Sequence, residues 1–177
     1  MTWDGERFWV MVVGNPPRLA TLTLDGVINV EFELPVTYWD RVRGDIAWRD
    51  SLIWMPLAVG EGSPTGMNMI AVDPGESQMT GTGVIVQDVP APATFRDMLG
   101  MTAVNGELLI ITGYGHGFES QLYRMSQDHV ISELGTVTLS AGPITWDGES
   151  LWMLHSGPSA AWTKGVLLSR FTVPEYE

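Results

Sequence analysis

Thr-Trp-Asp-Gly-Glu-Arg-Phe-Trp-Val-Met, residues 2–11, returns near the other end of the chain as Thr-Trp-Asp-Gly-Glu-Ser-Leu-Trp-Met-Leu, residues 145–154. Two weaker copies lie between them. Residues 47–55, Ala-Trp-Arg-Asp-Ser-Leu-Ile-Trp-Met, keep both tryptophans at the same spacing, and residues 103–111, Ala-Val-Asn-Gly-Glu-Leu-Leu-Ile-Ile, keep it with Val104 and Ile110 in their places. Read from Trp3, Trp48, Val104 and Trp146, the period is 45, 56 and 42 residues. Self-similarity at this period marks a repeat protein, and the unit is too long for a leucine-rich or ankyrin repeat.

After each phrase the apolar residues alternate in short runs broken by Gly, Pro, Asn and Asp, the punctuation of strands and turns. In the first unit, 8–13, 18–24 and 27–34 read as strands, with Asp25-Gly26 as a tight turn and Val30, Phe32 and Leu34 on one face. The second unit gives 52–59, 68–72 and 84–89, with a turn at Asp73-Pro74-Gly75. The third gives 108–112, 121–125 and 132–139, and the fourth 151–155 and 166–173. Residues 45–48, 101–104 and 143–146 read as the innermost strand of the unit that follows, whereas none precedes Trp3. Residues 60–66 and 77–83 read as loop insertions, and 93–99 as one helical turn. The expectation is an all-β chain forming one domain: a four-bladed β-propeller, or propeller-like ring of antiparallel blades, with incomplete first and last blades. Its repeats run over about 2–46, 47–100, 101–143 and 144–177.

Composition bounds the function. With 45% apolar and 17% charged residues in 177, the chain can bury a core. Apolar runs such as 9–13 and 108–111 are far shorter than the roughly 20 residues that span a bilayer, and no signal peptide is read at the start. The expected origin is the cytoplasm, with later incorporation into an assembly. No cysteine is present, so a disulfide framework and thiolate metal sites are excluded. Nine basic residues, eight arginines and Lys164, stand against 21 acidic ones for a net charge of −12. Without a basic cluster, nucleic acid and anionic membranes are not expected partners.

The Trp-Asp-Gly-x-x-x-Trp phrase resembles the blade repeat of β-propeller proteins over essentially the whole chain. It matches neither the sialidase Asp-box nor the Gly-His to Trp-Asp pairing of WD40 repeats. Hemopexin-like propellers also have four blades, but a disulfide usually closes them, and this chain cannot make one. The resemblance implies an architecture that serves lectins, hydrolases and scaffolds alike.

Candidate chemistry is sparse. The six tryptophans of the phrases are read as packing between blades, because large aromatics dominate such interfaces; a ring of sugar-stacking platforms is the rival reading. Asp4, Asp50 and Asp147 recur in the turns, which accounts for them without a metal. His116, His129 and His155 lack metal-ligand spacing. A triad of Ser156, His116 and Asp128 lacks a nucleophile-elbow phrase. No catalytic residue, cofactor or metal is expected. The candidate contact residues lie in loops: Tyr114, His116 and Phe118 on a glycine-rich stretch, together with Tyr38, Trp39 and Trp162. The expected function is a non-enzymatic module in a larger assembly such as a bacteriophage virion, binding other proteins or itself by edge-strand pairing. The alternatives are a glycan-binding propeller using Tyr38, Trp39, Tyr114 or Trp162, and a propeller hydrolase of the glycosidase type.

Overall fold

The computed structural model describes residues 1–35, 44–59, 66–95, 97–113, 119–137, 141–156 and 166–172. Four antiparallel sheets follow one another along the chain, each strand pairing with the next in sequence. Blade 1 holds β1 (Thr2–Trp3), β2 (Phe8–Val12), β3 (Arg18–Leu22) and β4 (Ile28–Glu33). Blade 2 holds β5 (Ala47–Arg49), β6 (Leu52–Val59), β7 (Gly66–Asp73) and β8 (Val84–Pro90), with helix α1 (Pro74–Thr80) between the last two. Blade 3 holds β9 (Asp97–Val104), β10 (Glu107–Gly113), β11 (Ser120–Met125) and β12 (Ile131–Val137). The described residues of blade 4 form β13 (Ala141–Trp146), β14 (Leu151–Ser156) and β15 (Val166–Phe171). This is the four-bladed β-propeller class that the repeat predicts. Blade 1 does have an inner strand, short though β1 is, so the first blade is less incomplete than its sequence suggests.

The chain divides into two compact units, Met1–Ala93 and Thr94–Glu177, each a pair of blades with its own core. In the first, Trp9, Leu19, Phe32 and Leu34 of blade 1 pack on Ile46, Ile53, Met55, Ile70 and Val72 of blade 2. In the second, Val104, Leu109 and Ile111 of blade 3 pack on Ile144, Leu151 and Met153 of blade 4. Each blade thus has a trailing face, turned toward its successor in blades 1 and 3, and a leading face, turned toward its predecessor in blades 2 and 4. Pairing Trp3 with Phe8, Trp48 with Ile53, Ala103 with Leu108 and Trp146 with Leu151 aligns all four units. Trp3, Trp48 and Trp146 then lie on leading faces, and Trp9, Trp54 and Trp152 on trailing ones. The residues of blade 3 in the tryptophan positions are Ala103 and Leu109, one place before Val104 and Ile110. The Asn105-Gly106 turn sits one residue later than the Asp-Gly of blades 1 and 4, because its flanking pair Val104–Glu107 matches Arg49–Leu52.

Three other expectations change. Residues 77–83 are largely α1, not a loop: Asp73 accepts the Glu76 N–H as N-cap, Pro74 opens the helix, and Gly81 closes it at φ 73°. Residues 97–104 continue as β9, so the helical turn expected over 93–99 does not form. Val30 and Phe32 do not share a face either. A bulge sets Phe32 opposite Leu19 but Val30 opposite Ala20, leaving Glu31 as the extra residue. Equivalent bulges insert Val86 in β8 and Leu134 in β12. Bulges twist and blunt an exposed edge, so the outer strands of blades 1, 2 and 3 are poor templates for strand addition. The edge of β4 is also covered. The α1 side chain Gln78 donates to Glu31 at 2.7 Å, and Glu33 bridges in parallel to Thr82.

Candidate interaction surface

The repeat phrase builds a self-contained unit at the turn. In blade 1, Asp4 Oδ1 accepts the backbone N–H groups of Glu6 and Arg7, each at 2.8 Å, and Oδ2 accepts the Trp9 indole N–H at 2.8 Å. Blade 4 repeats it: Asp147 Oδ1 accepts from Glu149 and Ser150 at 2.9 and 2.7 Å, and Oδ2 accepts from Trp152 at 2.6 Å. Glycine follows because the next residue lies at positive φ, 106° at Gly5 and 104° at Gly148. The Trp152 indole, then the Glu149 and Ser150 amides, lower the Asp147 carboxyl to about 2. At Asp4, burial pushes the pKa up, but the amides of Arg7 and Glu6 with the Trp9 and Arg7 side chains outweigh it, and the net direction is down. Both carboxylates are therefore committed to N–H donors. Asp50 differs: it occupies the place of Gly5, at φ 55°, beside Ser51 at φ 62°.

Neighbouring blades are joined by an equivalent hydroxyl contact in each unit. Thr2 Oγ1 accepts the Trp48 backbone N–H at 2.8 Å, and Thr102 Oγ1 accepts that of Trp146 at 3.3 Å. Thr2 lies opposite Trp9 and Thr102 opposite Leu109, so both threonines hold the same trailing-face position of an inner strand.

Among the described residues, exposed apolar side chains gather on one sheet face of blade 1 and one of blade 4. On the leading face of blade 1, Trp3, Phe8, Leu22 and Ile28 form a row of directly opposed residues across all four strands, and Val10, Ala20 and Val30 form a second. Trp3 is 44% exposed, Ile28 57% and Val30 53%, and the Trp3 and Phe8 ring centroids are 4.6 Å apart. On the trailing face of blade 4, Leu154 opposes Leu168, 40% and 60% exposed, and Trp152 is half-buried beside an exposed Thr145. The same positions of other blades, Ile53 and Met55 on a leading face and Trp9 on a trailing one, are fully buried.

The loop residues singled out from the sequence, Tyr38, Trp39, Tyr114, His116, Phe118 and Trp162, all lie outside the described residues. The open faces were missed because alternation reads every blade face as core. His155 is buried on the leading face of blade 4, its Nε2 2.6 Å from Ser169 Oγ on β15. That pair was invisible in sequence, being set by the register of β14 against β15. Among the described residues, no group of three or more His, Asp or Glu side chains could hold a metal, and no helix is long and apolar enough to cross a membrane.

No protein-family model matches the sequence, nor does any curated protein. Among solved structures, the chain is similar to selenomethionine-substituted virginiamycin B lyase from Staphylococcus aureus. The identity is 16% over 98% of this chain and 54% of that one, with a TM-score of 0.50. The fold is shared. A catalytically inactive variant of that enzyme, with quinupristin, is similar at 17% identity over 97% of this chain and 54% of the other, TM-score 0.49. At such identity the likeness shows the β-propeller fold alone, since one fold hosts unrelated functions. The chain spans about half the length of the structures it matches.

Proposed function

We propose that this chain is a non-enzymatic β-propeller binding module that works as a structural or accessory part of a larger assembly, with a virion as the favoured setting. The observation that carries this is the pair of open apolar sheet faces on blades 1 and 4. Contiguous exposed apolar surface on a folded domain marks a place where another macromolecule sits. The polar groups of the repeat support the same reading: Asp4 and Asp147 are consumed by turn amides and indoles and hold tryptophans in place. The acidic net charge keeps such a module soluble before it is incorporated.

The test has two arms. Sedimented particles from the native source, probed with an antibody to this chain, should carry it in fixed stoichiometry; a chain found only in the unassembled fraction sinks the assembly role. Incubation with quinupristin, followed by mass spectrometry, should leave that compound unchanged. Turnover above that of a heat-unfolded sample would show an enzyme and overturn the reading.

A further inference from the structure

We propose that Asn105 is a site of spontaneous modification, at which the backbone nitrogen of Gly106 converts the asparagine side chain to a carboxylate. The site lies within the unit Thr94–Glu177 and does not draw on the binding-module reading. Asn105 and Gly106 are the two turn residues between β9 and β10, at φ 49° and 80°. Asn105 is exposed, and among the described residues only its backbone carbonyl is engaged, accepting from Gln127 Nε2 at 3.5 Å. The ladder runs through the pair Val104–Glu107, so the Gly106 nitrogen lies outside it. A Cβ at Gly106 would lie 2.6 Å from Gln127 Nε2, and φ 80° disfavours any other residue, so the turn demands glycine and with it the least hindered nitrogen. In the proposed step that nitrogen loses its proton to solvent and attacks Asn105 Cγ. The new Cγ–N bond closes a five-membered imide, and the Cγ–Nδ2 bond breaks with its nitrogen leaving as ammonia. Water then opens the ring. Opening at Cγ gives aspartate with the original backbone, and opening at the main-chain carbonyl gives isoaspartate, whose backbone is one methylene longer.

The structure singles out this position among the chain's asparagines. Asn15 precedes Pro16, which has no N–H to react. Asn29 is held in the β3–β4 ladder and precedes the β-branched Val30. Asn68 is held in β7, and its side-chain nitrogen donates to Asp88 at 2.6 Å. The aspartates that precede glycine are restrained as well: Asp4 and Asp147 hold turn amides and indoles, and Asp25 accepts from Thr23 Oγ1 while the Gly26 amide donates to the Thr23 carbonyl. The two products differ in fit. Asp50 occupies the equivalent place in the β5–β6 turn at φ 55°, so aspartate suits a turn of this shape. Isoaspartate lengthens the loop between Val104 and Glu107, which are directly paired, and turn length fixes hairpin register. Val104 and Leu108 on either side are buried, so the longer loop strains a junction that packing holds in place.

Ageing the folded chain in mildly alkaline, heavy-oxygen water tests this, with peptide mapping by mass spectrometry. The peptide carrying Asn105 should gain an acid bearing the heavy oxygen, faster at higher pH, while those carrying Asn15, Asn29 and Asn68 stay unchanged. Anion exchange should resolve the aged forms by their added negative charge, and electron-transfer fragmentation should tell aspartate from isoaspartate. The Asn105→Asp variant should keep the thermal midpoint of the unaged chain, whereas the isoaspartyl form should melt lower. Asn105 left intact in the folded chain under conditions where the urea-unfolded chain converts, or another asparagine converting first, overturns the proposal. An isoaspartyl form that melts with the unaged chain overturns the assigned consequence for the hairpin. None of these results depends on the particle-sedimentation or quinupristin outcomes.

Discussion

Asp147 shows how one carboxylate can organise a turn and an aromatic at once. Both oxygens are occupied by N–H donors in the folded chain, which holds its pKa at about 2 against an ordinary value of about 3.9. Its contribution to stability is therefore complete above about pH 4 and is lost as pH falls through about 2. Asp147→Asn should lower the thermal midpoint at neutral pH, because its amide would present an N–H to the Trp152 indole N–H. The gap between variant and wild type should close between pH 4 and 2, and a gap that stays constant would rule out this linkage. Trp9 and Trp152 occupy the same repeat position with different cover. Trp9→Ala should cost about 3–5 kcal/mol, the range for deleting a buried large aromatic. In urea unfolding of the isolated chain, Trp152→Ala should cost clearly less, since its indole is half-buried.

Between elements, the inner strands of blades 3 and 4 approach too closely for a side chain at Gly100. A Cβ there would lie 2.7 Å from the Ile144 amide nitrogen and 2.9 Å from the Gly142 carbonyl oxygen. Gly100→Ala forces the backbone of β9 or β13 to shift and should destabilise by about 1–3 kcal/mol, as overpacking does, measured by urea unfolding. The cap of α1 gives a smaller effect. Asp73→Ala should cost about 1 kcal/mol, the usual value for an N-cap, read as a lower midpoint in the same assay. Asp-Pro-Gly-Glu at residues 73–76 combined a cap, a first-turn proline and a third-position acid, all of them helix-start signals. The Pro-Gly dipeptide masked them by reading equally well as a turn. The β3–β4 and β11–β12 connections were more legible. Thr23 and Ser126 each take the first place of the same loop, Val27 and Val130 donate back to their hydroxyls, and Gly26 and His129 supply the positive φ.

At the scale of the molecule, each pair of blades has its own apolar core, so Trp9→Ala acts on the unit Met1–Ala93 and Gly100→Ala on the unit Thr94–Glu177. Amide hydrogen exchange should show protection lost in the unit that carries the change and kept in the other. Equal loss across both units would show that they open together.

Sequence alone determined the repeat, the strands, the turn chemistry of Asp4 and Asp147 and the four-bladed class, because each depends on residues close together in the chain. A hairpin needs only its own alternation and its own glycine. Which apolar faces become core was decided by tertiary structure, since Trp9 and Trp152 share one local motif, yet Trp9 is fully buried against blade 2 and Trp152 is half-buried. The bulges in β4, β8 and β12 likewise depend on pairing across strands, and with them the side on which Val30 emerges. Burial is a property of neighbours distant in sequence, and so the open faces of blades 1 and 4 could be seen only in the folded chain.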